Sequence, residues 1–157
     1  MLDPVIDTQV LVIASGLSDQ EAQQCHTDLL DLFRLTDWLH LAIDDHIKSE
    51  YDERMRHGSL GQQWLLELAK AGRIRKCERC RLDRGMQTAL QEAHFDPDDI
   101  KFVRLAMATK SKYLVAEEDD YSNRVRRVLQ RRIGVMVHST EGICEIIRAN
   151  QEGRPDV

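Results

Sequence analysis

Short apolar runs alternate along the chain with segments in which apolar residues recur every three or four positions. The short runs have the length of buried strands, and the periodic segments have the pattern of amphipathic helices. The predicted strands are PVID near the start, HLAI at 40–43, KYLVA and GVMVH. Because strands that alternate with helices are typical of βαβ units, the pattern predicts an α/β fold with a mainly parallel sheet.

End signals place the predicted helices. Ser18 with Glu21 predicts a capping box before EAQQCHTDLLDLF, while Gly58 and Gly72 are well placed to end the next two helices. The segment TQVLVIASGL fits either a strand or a helix, and the basic run 73–84 has no clear periodicity and predicts a loop. Further helices are predicted over RGMQTALQEAHF, PDDIKFVRLAMAT and NRVRRVLQRR, and from Ser139 onward.

The 157 residues show no internal repeat or linker, which predicts one domain over 1–150 and a polar tail over 151–157. A composition of 42% hydrophobic and 31% charged residues is that of a soluble globular domain. No apolar run is long enough to span a bilayer, and Asp3 stands where a signal peptide would be basic. We therefore expect a cytoplasmic protein that makes no contact with a membrane.

Acidic residues follow several of the predicted strands. Asp7 closes the first strand, and Glu117–Asp120 follow the third, while Glu50 and Asp99 lie on helices that flank this edge. Carboxylates gathered at one edge of a parallel sheet repel each other unless cations or shifted pKa values relieve them. Oxygen ligands suit Mg²⁺ or Mn²⁺, so the sequence predicts a site for one of these ions.

Four stretches resemble the PIN-domain nucleases: VIDTQVL at 5–11, SEY at 49–51, DDIKFVRLAMATKSKYLV at 98–115, and the acidic turn EEDD after it. The resemblance extends over nearly the whole chain in order and spacing. It implies a three-layer sandwich in which a central sheet of about four to five strands is flanked by helices. It also implies a Mg²⁺- or Mn²⁺-dependent endoribonuclease that hydrolyses RNA phosphodiester bonds.

The resemblance carries over to individual residues of this chain. Asp7, Glu50 and Asp99 correspond to the first three acids, which bind metal and serve catalysis in the family. Glu118 fits the fourth position best and Asp120 comes next, with Asp119 between them. Thr8 is expected to hydrogen-bond the Asp7 carboxylate without itself binding the metal ion. One departure is Gln9, where many relatives carry Asn, so the orientation of the Asp7 carboxylate stays open.

RNA and protein partners follow from charge and from the resemblance. The net charge is −5, yet Arg124, Arg127 and Arg131 share one face of a predicted helix and are candidates for RNA binding. Stand-alone PIN domains are frequently toxins of toxin–antitoxin pairs. The resemblance thus implies an antitoxin protein, or a second copy of the chain in a homodimer, as partner.

Other interpretations of the sequence stay open. Gln9 and the irregular EEDD turn favour a PIN-like RNA-binding or protein-interaction module without catalysis. A receiver-type signalling domain also gathers acids at strand ends, but it is disfavoured because no acid closes an apolar strand in mid-chain with a later strand ending in Lys. Cys77 and Cys80 form a CxxC pair that could supply half of a zinc site or a redox couple. Residues that could complete such a site are Cys25, His26, His94 and Cys144.

Overall fold

A computed structural model describes residues 1–153, apart from the side chain of Glu118. Five short strands alternate with eight α-helices within the described residues. The strands are β1 (Val5–Ile6), β2 (Leu41–Ile43), β3 (Ile74–Lys76), β4 (Tyr113–Val115) and β5 (Met136–His138). The helices are α1 (Thr8–Ala14), α2 (Gln24–Leu35), α3 (Asp45–Arg54), α4 (Leu60–Lys70), α5 (Arg84–Glu92), α6 (Ile100–Ala108), α7 (Asn123–Val128) and α8 (Thr140–Glu152).

All strand pairs are parallel, which confirms the α/β class and the parallel sheet predicted from the sequence. The strands form a three-stranded sheet in the order β1-β4-β5 and a two-stranded sheet, β2-β3. The N-terminal segment links the two sheets, because the His40 N–H donates to the Leu2 carbonyl (2.9 Å) and the Ala42 N–H donates to the Pro4 carbonyl (3.1 Å). The carboxyl ends of β1, β2 and β4 therefore lie at one edge, where open parallel sheets hold their ligands.

Strands β1, β2 and β4 are largely buried because they consist mostly of apolar residues that pack on both faces, as parallel strands require. Val5, Ile6, Leu114 and Val115 are fully inaccessible to solvent. Helix α6 packs over β1, β2 and β4, while α2 packs against α8 as well as α1 and α4. These contacts fix the starts of α1, α3 and α6 relative to the sheet edge.

The ambiguous segment TQVLVIASGL is helical, as α1 shows. Five of its apolar side chains are buried, so the segment lacks the polar face that makes a helix recognisable from periodicity. Asp7 caps α1, since its carboxylate accepts a hydrogen bond from the Gln9 N–H. The acid that ends β1 is thereby held at the beginning of a helix.

The predicted capping box of Ser18 and Glu21 is wrong. Helix α2 begins only at Gln24, and the reciprocal capping pair is Gln23 with His26, whose imidazole accepts from the Gln23 N–H. The Ser18 hydroxyl instead accepts from the Gln20 N–H in a turn. A Ser-x-x-Glu spacing alone could not show which of two polar positions begins the helix.

The basic run 73–84 is not only a loop. It contains β3, which pairs with β2 so that Ile74 lies opposite Leu41. The strand is three residues long and only partly buried, so its composition carries almost no apolar signal.

Two further boundaries differ from prediction. Gly58 lies beyond α3, which ends at Arg54, and α8 continues through Glu152 into the predicted tail, of which residues 154–157 lie outside the described residues.

The predicted helix NRVRRVLQRR changes geometry within its length. Helix α7 ends at Val128, and a π-helical turn over Leu129–Ile133 follows. Gly134 ends this turn with a φ of +85°, a left-handed conformation that favours glycine.

Among the described residues, no helix has both the length and the apolar character needed to cross a bilayer.

Candidate functional site

Asp7 lies at the centre of a group of acids at the carboxyl ends of β1 and β4. Its residue surface is 6% exposed, and its Oδ1 atom accepts a 3.0 Å hydrogen bond from the Gln9 N–H. Burial raises the pKa of Asp7 to about 7, although the Gln9 hydrogen bond opposes this shift. The charges of Asp99, Asp120 and Glu50 make smaller contributions to the same rise. The four acids that act on one another thus come from four separate parts of the chain.

Glu50 is held by two hydrogen-bond donors. The Thr8 hydroxyl donates to its Oε1 atom at 2.7 Å, and the Lys101 ammonium contacts its Oε2 atom in an ion pair whose side chains are about one-fifth exposed. Burial would raise the pKa of Glu50, but the hydrogen bonds from Lys101 and Thr8 outweigh it and lower the pKa. Thr8 therefore supports Glu50, and not the Asp7 carboxylate that sequence reasoning assigned to it.

Asp99 and Asp120 complete the group. Asp99 ends a 3₁₀ turn, Pro97–Asp99, immediately before α6, and Asp120 ends a second 3₁₀ turn after β4. Burial and the charges of Asp96 and Asp120 raise the pKa of Asp99 to about 6. Desolvation and the charges of Glu117 and Asp119 likewise raise the pKa of Asp120. Among the described side chains of the EEDD turn, Asp120 is the one whose charge raises the pKa of both Asp7 and Asp99.

The remaining acids of the EEDD turn divide between different roles. The side chain of Glu118, the predicted fourth acid, lies outside the described residues. Asp119 is exposed. The Glu117 Oε1 atom contacts His26 Nε2 at 2.7 Å in a pair that is largely buried. His26 thus lies beside the acidic turn, whereas His46, on α3 with Glu50, lines a different cavity with Asp44.

Two buried tyrosines support the site, and sequence reasoning missed both. The Tyr51 hydroxyl donates to the carbonyl of Ile6, the residue before Asp7. Tyr121 is 2% exposed, and its hydroxyl has no hydrogen-bond partner in the described residues. Burial raises the pKa of Tyr121 well above its usual value, and Asp7 and the other acids add to this shift. A buried hydroxyl without a partner costs about 1–3 kcal/mol, which suggests that it serves a ligand or a reoriented acid.

The donor set has the chemistry for Mg²⁺ or Mn²⁺, since it consists of carboxylate and hydroxyl oxygens. Among the described residues, however, no three carboxylates, imidazoles or thiols are close enough together to hold an ion as they stand. Lys101 already neutralises Glu50. The pKa values of Asp7, Asp99 and Asp120 are raised, first by burial and then by the charges of neighbouring acids.

The predicted RNA-binding arginines are exposed. Arg124 and Arg127 lie on α7, which follows the acidic turn, and they make no ion pair within the described chain. Arg131 lies in the π-helical turn, where the spacing of side chains differs from that of an α-helix. The structure therefore does not keep Arg131 in line with Arg124 and Arg127, as an unbroken helix would.

The basic run 73–84 mostly serves the fold. Arg73 donates to the carbonyls of Phe33 and Thr36 at the end of α2, and Arg75 forms an ion pair with Asp3. The CxxC cysteines Cys77 and Cys80 are free thiols, and no cluster of metal ligands includes them in the described residues. Asp44 caps α3 and pairs with Arg79 at 2.8 Å, as expected of a helix-cap residue. These groups are separate from the Asp7 site.

Comparison of the chain with models of known protein families finds no match, and comparison with curated proteins finds none either. The geometry of the acids and the residues around them is therefore the basis for assigning a function.

Proposed function

We propose that the protein is a metal-dependent endoribonuclease with a PIN-like, three-layer fold. The observation that carries the proposal is the meeting of Asp7, Glu50, Asp99 and Asp120 at one edge of a parallel sheet, with Asp7 almost fully buried. A buried carboxylate among other carboxylates is unfavourable unless a cation or a proton relieves it. The order of these acids in the chain is also the order that the PIN resemblance requires.

In this proposal Asp7, Asp99 and Asp120 would hold Mg²⁺ or Mn²⁺. Such an ion, when bound, would lower the pKa of a bound water and offset negative charge on the phosphate. Glu118 remains a candidate ligand from the same turn. The Tyr121 hydroxyl, which is buried beside these acids, would donate to one of the carboxylates or to a water that they hold.

The chain's own groups orient the reactants. The Gln9 N–H fixes one oxygen of Asp7, so that the other oxygen can point toward the ligand. Thr8 and Lys101 keep Glu50 ionised and fixed, which suits a carboxylate that orients the attacking water. The Lys101 ammonium would also bind a phosphate oxygen of the substrate. Glu50 then orients water and is not a metal ligand.

Arg124 and Arg127 would bind phosphates of the RNA beyond the cleaved bond, because Arg is the common contact for phosphate oxygens. Arg131 contributes less, since the π-helical turn separates it from the other two. The PIN resemblance extends the proposal to a cytoplasmic toxin that an antitoxin protein blocks, and to a homodimer. Co-expression with the product of a neighbouring small gene would test the antitoxin.

A second candidate function is a PIN-like RNA-binding or protein-interaction module without catalysis. The observation in its favour is the Lys101–Glu50 ion pair, which puts a built-in cation at the edge of the acidic group. In such a module Lys101 would replace part of the charge that a metal ion supplies. The two candidates differ in whether RNA is cut when metal is added.

The test is cleavage of single-stranded and structured RNA by the purified protein with Mg²⁺, with Mn²⁺ and with excess EDTA. We expect cleavage only with metal, and we expect D7N and D99N each to reduce it by at least about 100-fold while remaining folded. E50Q should reduce cleavage to a similar extent. The matched control is D19N, because Asp19 is an exposed acid in the turn before α2. Equal cleavage in EDTA, or equal loss in D19N, would contradict the proposal.

A further inference from the structure

A polar cavity of about 270 Å³ adjoins the acidic site. Asp120 and Gln9 belong to both regions. Both line the cavity, while the charge of Asp120 raises the pKa of Asp7 and the Gln9 N–H donates to the Asp7 carboxylate. The side chains that the cavity offers a ligand come from α1, the turn before α2, the acidic turn and the start of α8. Those used below are Gln9, Gln23, Glu117, Asp120, Thr140 and Glu141.

Thr140 provides an independent sign that the cavity receives a ligand. It is 3% exposed, lines the cavity, and its hydroxyl has no hydrogen-bond partner among the described residues. The neighbouring Ser139 hydroxyl caps α8 by accepting from the Gly142 N–H (3.0 Å), so the cap does not need Thr140. Leaving a buried hydroxyl unpaired is unfavourable, and a polar group in the cavity would relieve it.

Glu117 is oriented for binding by His26. The His26 Nδ1 atom accepts from the Gln23 N–H (3.1 Å), so the neutral ring carries its proton on Nε2 and donates it to Glu117 Oε1 (2.7 Å). Within the described residues the second oxygen of Glu117 has no such partner. The imidazole thus holds a carboxylate at the cavity wall with one acceptor oxygen free.

The charge of the cavity decides what it can hold. Glu117, Asp119, Asp120 and Glu141 all line it, so a phosphate group would be repelled. The same carboxylates accept hydrogen bonds from N–H donors, and the Gln23 amide can both donate and accept, whereas the Gln9 amide already bonds to Arg54 and Ser18. Ligand pockets for drug-sized molecules are about 300–1,000 Å³, so a cavity slightly below this range suits a single planar base.

We propose that this cavity binds the base of the nucleotide next to the cleaved phosphate, and that it prefers guanine. Guanine carries two adjacent N–H donors on its Watson–Crick edge, which suit the free oxygen of Glu117 and the other carboxylate oxygens that line the cavity. The Thr140 hydroxyl pairs with a polar atom of the same base. This inference rests on the proposed ribonuclease function, because it assigns the adjacent phosphate to the acids around Asp7.

The test uses nucleosides, which carry no phosphate, so that binding is independent of cleavage. Guanosine, adenosine, cytidine and uridine are each titrated into the full-length protein in EDTA, with amide chemical shifts as the readout. We expect guanosine to shift the amides of Thr140, Gln23 and Glu117, with an affinity at least fivefold above that of uridine. T140V should weaken guanosine binding about fivefold, the effect of one hydrogen bond.

T140V should fold normally, since the hydroxyl that it removes has no partner in the protein. The matched control is T88V, an exposed threonine on α5 that does not line the cavity, and it should bind guanosine like the wild type. The inference is overturned if guanosine leaves the cavity amides unshifted, or if T140V and T88V bind equally well. Guanosine binding without RNA cleavage would overturn only the ribonuclease proposal, and cleavage without guanosine binding would overturn only the inference.

Discussion

Asp7 keeps an almost fully buried carboxylate beside three other acids, and this makes the metal-free fold sensitive to pH. Its pKa rises from 3.8 to about 7, so the folded protein binds a proton there that the unfolded chain has already released. The stabilisation that this proton provides is complete below pH 3.8 and is lost as the pH rises through 7. At neutral pH the ionised, desolvated carboxylate therefore opposes folding.

We predict that D7N is more stable than the wild type at pH 8 without metal, by about 1–3 kcal/mol. Asparagine keeps the shape and can still accept the cap hydrogen bond from Gln9, but it removes the charge. Urea unfolding at pH 5 and pH 8 measures the effect, which should shrink at the lower pH. Mn²⁺ should then raise the melting temperature of the wild type and not that of D7N. A D7N variant less stable at pH 8, with D19N unchanged, would refute this explanation.

Lys101 allows a second test at the level of one residue. Removing its ammonium leaves the acids with more unbalanced negative charge, because Lys101 pairs with Glu50 and its charge also lowers the pKa of Asp99. We expect K101M to bind Mn²⁺ several-fold more tightly in calorimetry but to lose RNA cleavage. The control is K110M, since Lys110 is exposed. Weaker Mn²⁺ binding in K101M would show that the ammonium supports the metal ligands and does not compete with metal.

Among the structural elements, Asp3 joins the N-terminus to two other segments. Its carboxylate is fully buried, pairs with Arg75 of β3 at 2.6 Å, and accepts from the N–H groups of Lys110 and Ser111 before β4. Removing one partner of a buried ion pair leaves the other charge uncompensated, at a cost of about 3–5 kcal/mol. We predict a loss of this size for D3N in urea unfolding.

The matched control for D3N is K76Q. Lys76 also lies on β3, but its ion pair with Asp45 is long, at 3.4 Å, and both side chains are mostly exposed. Such a pair contributes at most about 1 kcal/mol. Equal effects of D3N and K76Q would mean that Asp3 does not anchor β3 to the N-terminal segment.

The elements also show what the sequence could and could not predict. Apolar runs located β1, β2 and β4, because buried strands consist largely of continuous apolar residues, and the run GVMVH located β5 although that strand is only partly buried. The basic run 73–84 could not reveal β3, since the side chains of this strand are only partly buried and its place depends on pairing with β2. The order of the acids predicted Asp7, Glu50 and Asp99 at one edge, with Glu118 ahead of Asp120 as the fourth. The structure brings Asp120 into the group, while the side chain of Glu118 lies outside the described residues. Lys101 and Tyr121 were missed, because their positions depend on packing and on a 3₁₀ turn that no local pattern marks.

At the scale of the whole molecule, an acidic protein with a net charge of −5 and an acidic site has to attract a polyanion. Metal ions relieve the repulsion only near the cut bond, so more distant phosphates need cationic side chains. Much of the basic run 73–84 is already used, as Arg73, Arg75 and Arg79 bind groups of the protein itself. The exposed arginines on α7, close in sequence to Asp120, are the better candidates.

We therefore predict that the double variant R124A/R127A binds single-stranded RNA more weakly and with a flatter salt dependence. Each phosphate contact on a single strand contributes about 0.7 to the slope of log K against log salt concentration, so two lost contacts should reduce the slope by about 1.4. Fluorescence anisotropy across a salt series measures it, and Mn²⁺ affinity should not change. R131A should reduce the slope less than either single α7 variant, because the π-helical turn moves Arg131 out of line. An unchanged slope in the double variant would assign Arg124 and Arg127 to an ordinary solvated helix face, and RNA would then have to reach Asp120 along another surface.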